Sequence, residues 1–231
     1  MSSRAPVQLD GASCLVCGVG GIGAAVANEL ERRAARLTLA NRTVGGLAER
    51  HPAAVVVEAD LCSPGGRERA LSAAVEHGGG LDVLVCAVGV VAFGPVVELE
   101  ESVARTLLEV NVLAPVMLAA AALPRLRAGG ALVNISGVIA EQNIAGMAAY
   151  GASKAALLSF DRSLAREARR AGVRVIDARP PHTETGLAHR ALAGEAPALA
   201  TGITPARVAA VICDAVASGE RDLPPEAFAA G

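Results

Sequence analysis

Short apolar segments alternate along the chain with longer amphipathic ones. The short segments are rich in Val, Leu, Ala and Cys and have the length of buried strands, whereas the longer ones repeat apolar residues at helical spacing. The pattern predicts six strands, at residues 13–17, 36–40, 55–58, 81–85, 131–135 and 173–178. It predicts helices at residues 24–33, 64–77, 98–123, 150–170 and 205–217, the third with a kink or break at Pro115.

This alternation, uninterrupted by linkers or repeats, predicts a single α/β domain over residues 1–231, with a doubly wound parallel sheet and helices on both faces. Little room remains after the last helix for a seventh strand. Ligands bind such sheets at the carboxyl ends of the strands. The segment 183–203, rich in Ala, Gly and Thr, is expected to form a flap there. Six residues follow strand ends and should line one crevice: Gly18, Arg42, Asp60, Gly89, Ser136 and Thr185.

The composition of the chain argues against several functional classes. A net charge of -2 and an aromatic content of 2% argue against nucleic-acid binding. We find neither a signal peptide nor an unbroken apolar run of the ~20 residues that a bilayer span needs, so we expect a cytoplasmic protein without a membrane partner. No His/Cys/Asp cluster has metal-ligand spacing. Cys14 and Cys17 match C-x-x-C, but they belong to a strand that should point them to opposite faces.

A glycine-rich turn follows the first strand and precedes the first helix. Gly18, Gly20 and Gly23 form a G-x-G-x-x-G pattern that also contains Ile22. Glycines let the backbone approach a pyrophosphate, and a helix N-terminus offers free N–H groups to it. The context therefore predicts the dinucleotide site of a Rossmann fold, with these four residues at the cofactor. A tight turn that merely requires glycine is the alternative.

The end of the second strand bears on the choice of cofactor. In a dinucleotide fold an acidic residue here binds the ribose 2′-hydroxyl, whereas arginine accommodates a 2′-phosphate. The chain has Asn41 and Arg42 and no acidic residue at this position. We therefore expect both residues to contact the cofactor and NADP to be preferred, with NAD still possible. A solvated loop arginine is the alternative.

Tyr150 is the only tyrosine of the chain, and Lys154 is its only lysine. A spacing of four residues places both on one helix face, about one turn apart. Such a pair suits a proton donor and the group that tunes it, because a neighbouring ammonium favours the phenolate and lowers the pKa of the phenol. A surface helix that carries both residues by chance is the alternative.

The ordered series of motifs resembles the short-chain dehydrogenase/reductase family over nearly the whole chain. The series comprises the glycine turn, Asp60-Leu61, Asn111, Val133-Asn134-Ile135-Ser136, Tyr150-Gly151-Ala152-Ser153-Lys154 and a Pro-rich turn that ends in Thr185.

The resemblance implies a role for each matching residue. Tyr150 would be the acid/base, and Lys154 would hold the nicotinamide ribose and lower the pKa of the phenol. Asn111 would position a water for proton relay, and Ser136 is the candidate that polarises the substrate. The remaining cofactor contacts would come from Asp60 and Leu61 at the adenine, Gly89 after the fourth strand, and Thr185 at the nicotinamide amide.

The sequence departs from the family pattern at four places. The glycine turn is one residue short and has Cys17 in place of Thr, and Cys86-Ala87-Val88-Gly89 replaces the family's N-N-A-G. Pro181 stands where the family has Gly. The substrate-polarising serine usually lies 13 residues before the tyrosine, where this chain has Gly137. Ser136 is one residue early, and it can serve only if the strand end is irregular, because a one-residue shift reverses the face.

Three functions fit these residues. The leading hypothesis is an NADP-dependent oxidoreductase that acts on a small-molecule ketone, aldehyde or alcohol. A non-redox isomerase, dehydratase or cyclase on the same fold is the second, motivated by the displaced serine. A catalytically silent dinucleotide-binding protein is the third. Retention of Tyr150 and Lys154 at the required spacing argues against the third.

We also expect a homodimer or homotetramer. The helix of Tyr150 carries small residues that let another helix approach closely, and the helix predicted at 98–123 adds apolar surface. Oligomers built on these two helices are also what the family resemblance implies. The residues concerned are Ala155, Ala156, Ser159, Ser163, Leu107, Leu108 and Leu118.

Overall fold

The computed structural model describes residues 6–198 and 200–229. Its six strands form one parallel sheet in the order β3-β2-β1-β4-β5-β6, which confirms the predicted doubly wound α/β fold. Leu223 adds only an isolated bridge beside Ala178, so the described residues contain no seventh strand. The strands are β1 (Ser13–Cys17), β2 (Arg36–Asn41), β3 (Val55–Glu58), β4 (Leu81–Cys86), β5 (Leu126–Ile135) and β6 (Arg174–Ala178).

Helices cover both faces of the sheet because successive strand residues alternate between them. Cys14 and Val16 lie in the core beneath α1 and α7, whereas Leu15 and Cys17 lie in the core beneath α3, α5 and α6. The two cysteines therefore face opposite sides, as expected. The helices are α1 (Gly21–Arg32), α2 (Leu47–Arg50), α3 (Pro64–Gly78), α4 (Glu101–Leu108), α5 (Ala114–Ala122), α6 (Ala148–Ala171) and α7 (Pro205–Ser218).

The predicted helix at 98–123 is interrupted. A π-helical turn at Glu109–Leu113 separates α4 from α5, and Pro115 lies in the first turn of α5. Proline has no N–H to donate to the carbonyl four residues earlier, that of Asn111, so the regular α-helical ladder cannot continue through it. The break thus falls at the candidate residue Asn111.

The helical stretch Glu101–Arg125 is long and apolar enough, by length and composition alone, to cross a membrane. Several of its apolar residues, including Leu118, Ala119 and Ala122, instead lie in the protein core. Core helices of soluble proteins pass the same test, so this stretch is weak evidence for a membrane span.

The same stretch corrects one expectation about the surface. Leu107 and Leu118 were expected to add outward apolar surface, but both are buried. The exposed apolar side chains are Leu108, Leu113 and Met117. Leu107 and Leu118 lie about three helical turns apart and so share one face of the stretch, and that face is covered by the rest of the fold.

The segment 183–203, which we expected to be a flap, is held at both ends by Thr183 and Ile203, which form an isolated parallel bridge. The N–H of Phe93 donates to the Ala193 carbonyl (2.9 Å), and the N–H of Leu192 donates to Val91 (2.8 Å). The segment therefore lies against the loop that follows β4, at the carboxyl edge of the sheet.

Candidate active site

Three of the predicted site residues meet where β4 and β5 end. A Cβ atom placed on Gly89 would lie 3.5 Å from Asn111 Oδ1 and 3.5 Å from Lys154 Nζ. The π-turn supplies Asn111, α6 supplies Lys154, and the loop after β4 supplies Gly89. The small residue at position 89 leaves room between the amide and the ammonium.

The Asn111 side chain is fully buried and tied to its neighbours. Its Oδ1 accepts from the N–H of Val90 (2.9 Å), and its Nδ2 donates to the Val90 carbonyl (2.9 Å) and to Ser153 Oγ (3.0 Å). Ser153 Oγ in turn donates to the Tyr150 carbonyl (2.7 Å). Asn111 thus joins the β4 loop to the first turns of α6, and protein groups occupy most of its hydrogen-bonding capacity.

Lys154 is almost completely buried, with 6% of its surface exposed. Its Nζ donates to the Ile135 carbonyl at the end of β5 (2.7 Å). Burial lowers the pKa of Lys154 to about 8, while nearby acidic groups, Asp177 among them, act in the opposite direction. The ammonium is therefore held at one position, with a charge that depends on the acidic groups around it.

Tyr150 belongs to a small apolar cluster with Val91, Phe93, Ile139 and Met147. Burial raises the pKa of its phenol to about 12. This corrects the expectation that Lys154 lowers this pKa. The cause is the burial of the phenol among apolar side chains. Tyr150 is accordingly a protonated acid at neutral pH.

Ser136 is not placed as a substrate donor. Its side chain is buried, and its Oγ donates to Asp177 Oδ2 on β6 (2.9 Å). Its backbone N–H and that of Gly137 both donate to the Ala178 carbonyl (3.1 Å each), so the strand end is irregular, yet the hydroxyl faces β6. The catalytic role expected for Ser136 is therefore corrected to a structural one.

Gly137 occupies the family's serine position with φ 81° and ψ 161°, a conformation adopted almost only by glycine. We expect Gly137→Ser to cost about 1–3 kcal/mol of stability and to leave ketone reduction unimproved. Ser136→Ala should destabilise by about 1.5–3 kcal/mol, because it removes a hydrogen bond to a buried carboxylate, with little change in kcat. Denaturant unfolding and steady-state kinetics of both variants check this. A Gly137→Ser protein that is faster and equally stable would contradict it.

The glycine turn has the shape that a pyrophosphate needs. Gly18 has φ 85°, and a Cβ there would lie 2.8 Å from the Val88 nitrogen, while a Cβ on Gly23 would overlap the Gly18 carbonyl. These two glycines close the turn, whereas Gly20 has no atom within 4 Å of its Cβ position. Helix α1 begins at Gly21 rather than at residue 24, and its N-cap makes no side-chain hydrogen bond. The turn therefore fits a phosphate group with free N–H donors and open space.

Thr185 lies directly against this turn. A Cβ atom on Gly21 would be 2.8 Å from Thr185 Cβ. Thr185 Oγ1 accepts from the N–H of Leu187 (3.3 Å), which holds the start of the 183–203 segment in place. The structure thus brings Thr185 to the glycine turn, and its contact with the nicotinamide amide stays a prediction.

The residues expected at the adenosine end differ in their exposure and in the hydrogen bonds that their side chains already make. Asn41 Oδ1 accepts from the N–H of Val19 (3.2 Å), and its Nδ2 donates to the Thr43 carbonyl (2.7 Å), so Asn41 shapes the glycine turn. Arg42 is exposed beside it. Asp60 is also exposed, with one oxygen accepting from the N–H of Cys62 (3.0 Å), and Leu61 is buried.

A buried polar cluster under Lys154 was not identified from the sequence. It contains Asn134, Asp161, Asp177 and Arg179, all nearly inaccessible to solvent. Asp177 lies near the end of the strand predicted at 173–178, and a charged residue within a buried strand was the available signal.

Comparisons with known proteins identify the family to which the chain is similar. A family model described as short chain dehydrogenase matches residues 13–196. An uncharacterized oxidoreductase from Methylorubrum extorquens is 31% identical over 193 residues, covering 80% of this chain and 78% of the relative. Versicolorin reductase from Emericella nidulans is 32% identical over 175 residues, covering 71% of this chain and 66% of that enzyme.

The fold also has close counterparts among solved structures. The crystal structure of a short chain dehydrogenase from Burkholderia cenocepacia in complex with NADP superposes with a TM-score of 0.82 at 27% identity, covering 96% of this chain and 100% of that one.

Proposed function

Because the chain belongs to the short-chain dehydrogenase/reductase family, we propose that it reduces a ketone or aldehyde with NADPH, or oxidises the corresponding alcohol. The coarser assignment, an oxidoreductase that uses a nicotinamide dinucleotide, follows from the family and from the NADP complex of the Burkholderia relative. The finer proposal rests on one observation, that α6 carries both the sole tyrosine and the sole lysine. Ser153 links this helix to Asn111, since its Oγ accepts from Asn111 Nδ2 and donates to the Tyr150 carbonyl.

Tyr150 supplies the proton. Its raised pKa keeps the phenol protonated at neutral pH, so it can donate to the substrate oxygen as negative charge develops there. Ser136 is bonded to Asp177 and position 137 is glycine, so neither position supplies a second donor to the substrate. Tyr150 therefore carries the proton transfer alone among these candidates.

The dinucleotide would lie across the carboxyl ends of the strands. The turn of Gly18, Gly20, Ile22 and Gly23 would hold the pyrophosphate, and Asp60 with Leu61 would meet the adenine. Lys154, Gly89 and Thr185 would border the nicotinamide end, where the bound cofactor supplies the hydride. Lys154, fixed by the Ile135 carbonyl, would orient the ribose hydroxyls.

The substrate would meet an apolar surface at Tyr150. Val91, Phe93, Ile139 and Met147 surround the phenol and offer no charged partner. We therefore propose an uncharged, largely apolar carbonyl compound. Loss of NADPH absorbance with a panel of such ketones and aldehydes tests the function, and turnover without cofactor consumption would contradict it.

Arg42 is proposed to select NADP over NAD. It is exposed at the end of β2, where a 2′-phosphate would lie, and no acidic residue adjoins it in the sequence. Arg42→Ala should weaken NADPH binding about 10-fold or more, as expected for a lost charge-assisted contact, and should spare NADH. Titration with both cofactors checks this. Equal losses for both would place the 2′-phosphate elsewhere.

We further propose a cytoplasmic homodimer or homotetramer. The outer side of α6 presents Ala156, Ser159 and Ser163, and the neighbouring stretch exposes Leu108 and Met117. Small residues beside exposed apolar ones suit close packing of helices from two subunits. Light scattering at micromolar concentration should give a multiple of the 23.1 kDa chain mass, and a monomer mass would contradict the proposal.

A further inference from the structure

Two buried carboxyl groups face each other beneath the candidate active site. Asp161 on α6 is 2% exposed, and Asp177 on β6 is 4% exposed. Asp161 lies seven residues after Lys154, hence two turns along the same helix face. Asp177 is the register partner of Asn134 on the neighbouring strand β5.

Each carboxyl group has one oxygen with donors and one without. Asp161 Oδ1 accepts from Asn134 Nδ2 (2.6 Å). Asp177 Oδ2 accepts from Ser136 Oγ (2.9 Å) and from Arg179 Nη1 (2.7 Å). The other two oxygens, Asp161 Oδ2 and Asp177 Oδ1, are buried and find no donor among the described residues.

Asn134 brings the two side chains together, because it is the register partner of Asp177 and its Nδ2 donates to Asp161. Two acceptor oxygens in contact cannot bond unless one of them carries a proton, and two adjacent buried carboxylates repel strongly. Burial and the neighbouring Asp177 raise the pKa of Asp161, which agrees with this geometry. The pair therefore retains one proton at neutral pH.

The hydrogen-bond donors around each carboxyl group determine which of the two is protonated. Asp177 receives a hydroxyl and a guanidinium, which stabilise a carboxylate, whereas Asp161 receives only the neutral amide of Asn134. The proton thus belongs on Asp161 Oδ2, from which it is donated to Asp177 Oδ1. The negative charge stays on Asp177.

The remaining charged and titratable groups around the pair come from several elements. Lys154 faces it from α6, and the Cys86 thiol faces Lys154 from β4 with a pKa that burial raises to about 12, so the thiol is neutral. Arg179, after β6, also binds Asp222 (2.7 Å) and approaches Glu141 at the solvent edge (3.2 Å). Asp177 is therefore the buried charge that opposes Lys154.

We propose that Asp161 and Asp177 share one proton, and that the single charge left on Asp177 keeps Lys154 an ammonium, which makes Asp177 a positioning residue acting through Lys154. The inference rests on the proposed role of Lys154 in binding and catalysis. It explains why Ser136 points to β6: its hydroxyl stabilises the charge on Asp177 instead of meeting the substrate.

The sole lysine makes the charge on Lys154 directly measurable. Protein grown with ¹³C-labelled lysine gives signals from Lys154 alone, whose pH titration reports its pKa. The double variant Asp161→Asn/Asp177→Asn should lower that pKa by about one to two units relative to Asp161→Asn, because the last negative charge facing it is removed. The control Asp161→Asn/Asp10→Asn, which changes an exposed carboxyl group, should show no shift. Equal pKa values in all three would overturn the proposal.

The shared proton can be detected in a separate experiment, which uses only the wild-type protein and single variants. The infrared spectrum of the wild-type protein at neutral pH should contain the carbonyl band of one protonated carboxylic acid. Asp161→Asn should abolish this band, and Asp10→Asn should retain it. A wild-type spectrum without the band would overturn the proposal. Neither measurement needs turnover, so an inactive protein with both results would reject the reductase function alone.

Discussion

Tyr150→Phe is expected to lower kcat/KM for ketone reduction by about 10²- to 10⁴-fold, the usual contribution of a positioned proton donor. The substitution removes the hydroxyl and leaves the ring, which packs with Phe93, Ile139 and Met147. NADPH affinity and thermal stability should therefore change little. Steady-state kinetics, a cofactor titration and a melting curve check the three quantities.

The pattern of these results separates the proton step from binding. A rate loss without a loss of cofactor affinity places the effect in the transition state. Ser136→Ala is the matched control. It also removes one hydroxyl group, but this hydroxyl follows β5 and donates to Asp177. Full activity in Tyr150→Phe would show the proton mechanism to be wrong, whatever Ser136→Ala does.

The fold could be predicted because it depends on local patterns. Alternating strands and helices, a glycine turn after β1 and the Thr204-Pro205 helix start are each visible within a few residues. Thr204 caps α7, with its Oγ1 accepting from the N–H of Arg207 (3.2 Å). The relative placement of Lys154 and Tyr150 follows from helix geometry alone.

The orientation of Ser136 could not be predicted, because its partner Asp177 lies 41 residues away on another strand. The same holds for the pKa of Tyr150, which burial raises, because Val91, Phe93 and Ile139 of its apolar cluster belong to other segments of the chain. A sequence pattern specifies which face of an element is apolar, but not which distant polar group accepts a hydrogen bond from a buried hydroxyl.

The prediction of an outward apolar surface on the α4–α5 stretch was wrong for a different reason. Leu107 and Leu118 lie eleven residues apart, which places them only about 20° apart on a helix of 3.6 residues per turn. They share this face with Asn111, Ala114 and Ala122, all of them buried. Periodicity identifies the apolar face of a helix, but not whether its own domain or another subunit covers that face. Pro115 signalled a break, but not the kind of turn that would form.

Substitutions in the glycine turn give the second large expected effect. One glycine of the turn is required for stability, and another for cofactor affinity. Gly23→Ala should cost about 1–3 kcal/mol or more, because the added methyl overlaps the Gly18 carbonyl and a backbone cannot yield as a side chain does. In a chain of this length this loss lowers Tm by roughly 2–4 °C per kcal/mol. Thermal or denaturant unfolding measures it without any cofactor.

Gly20→Ala is the matched variant, with the opposite expected outcome. Gly20 has extended backbone angles (φ -120°, ψ 162°) that any residue adopts, and its Cβ position is free of atoms within 4 Å. The variant should fold with unchanged or slightly higher stability, since alanine restricts the unfolded chain. Its methyl group would occupy the open space at the uncapped start of α1, so NADPH affinity should fall about 10-fold or more, a loss of ~1.4 kcal/mol. A stable Gly20→Ala protein that binds NADPH as tightly as the wild type would mean that the pyrophosphate does not lie at this turn.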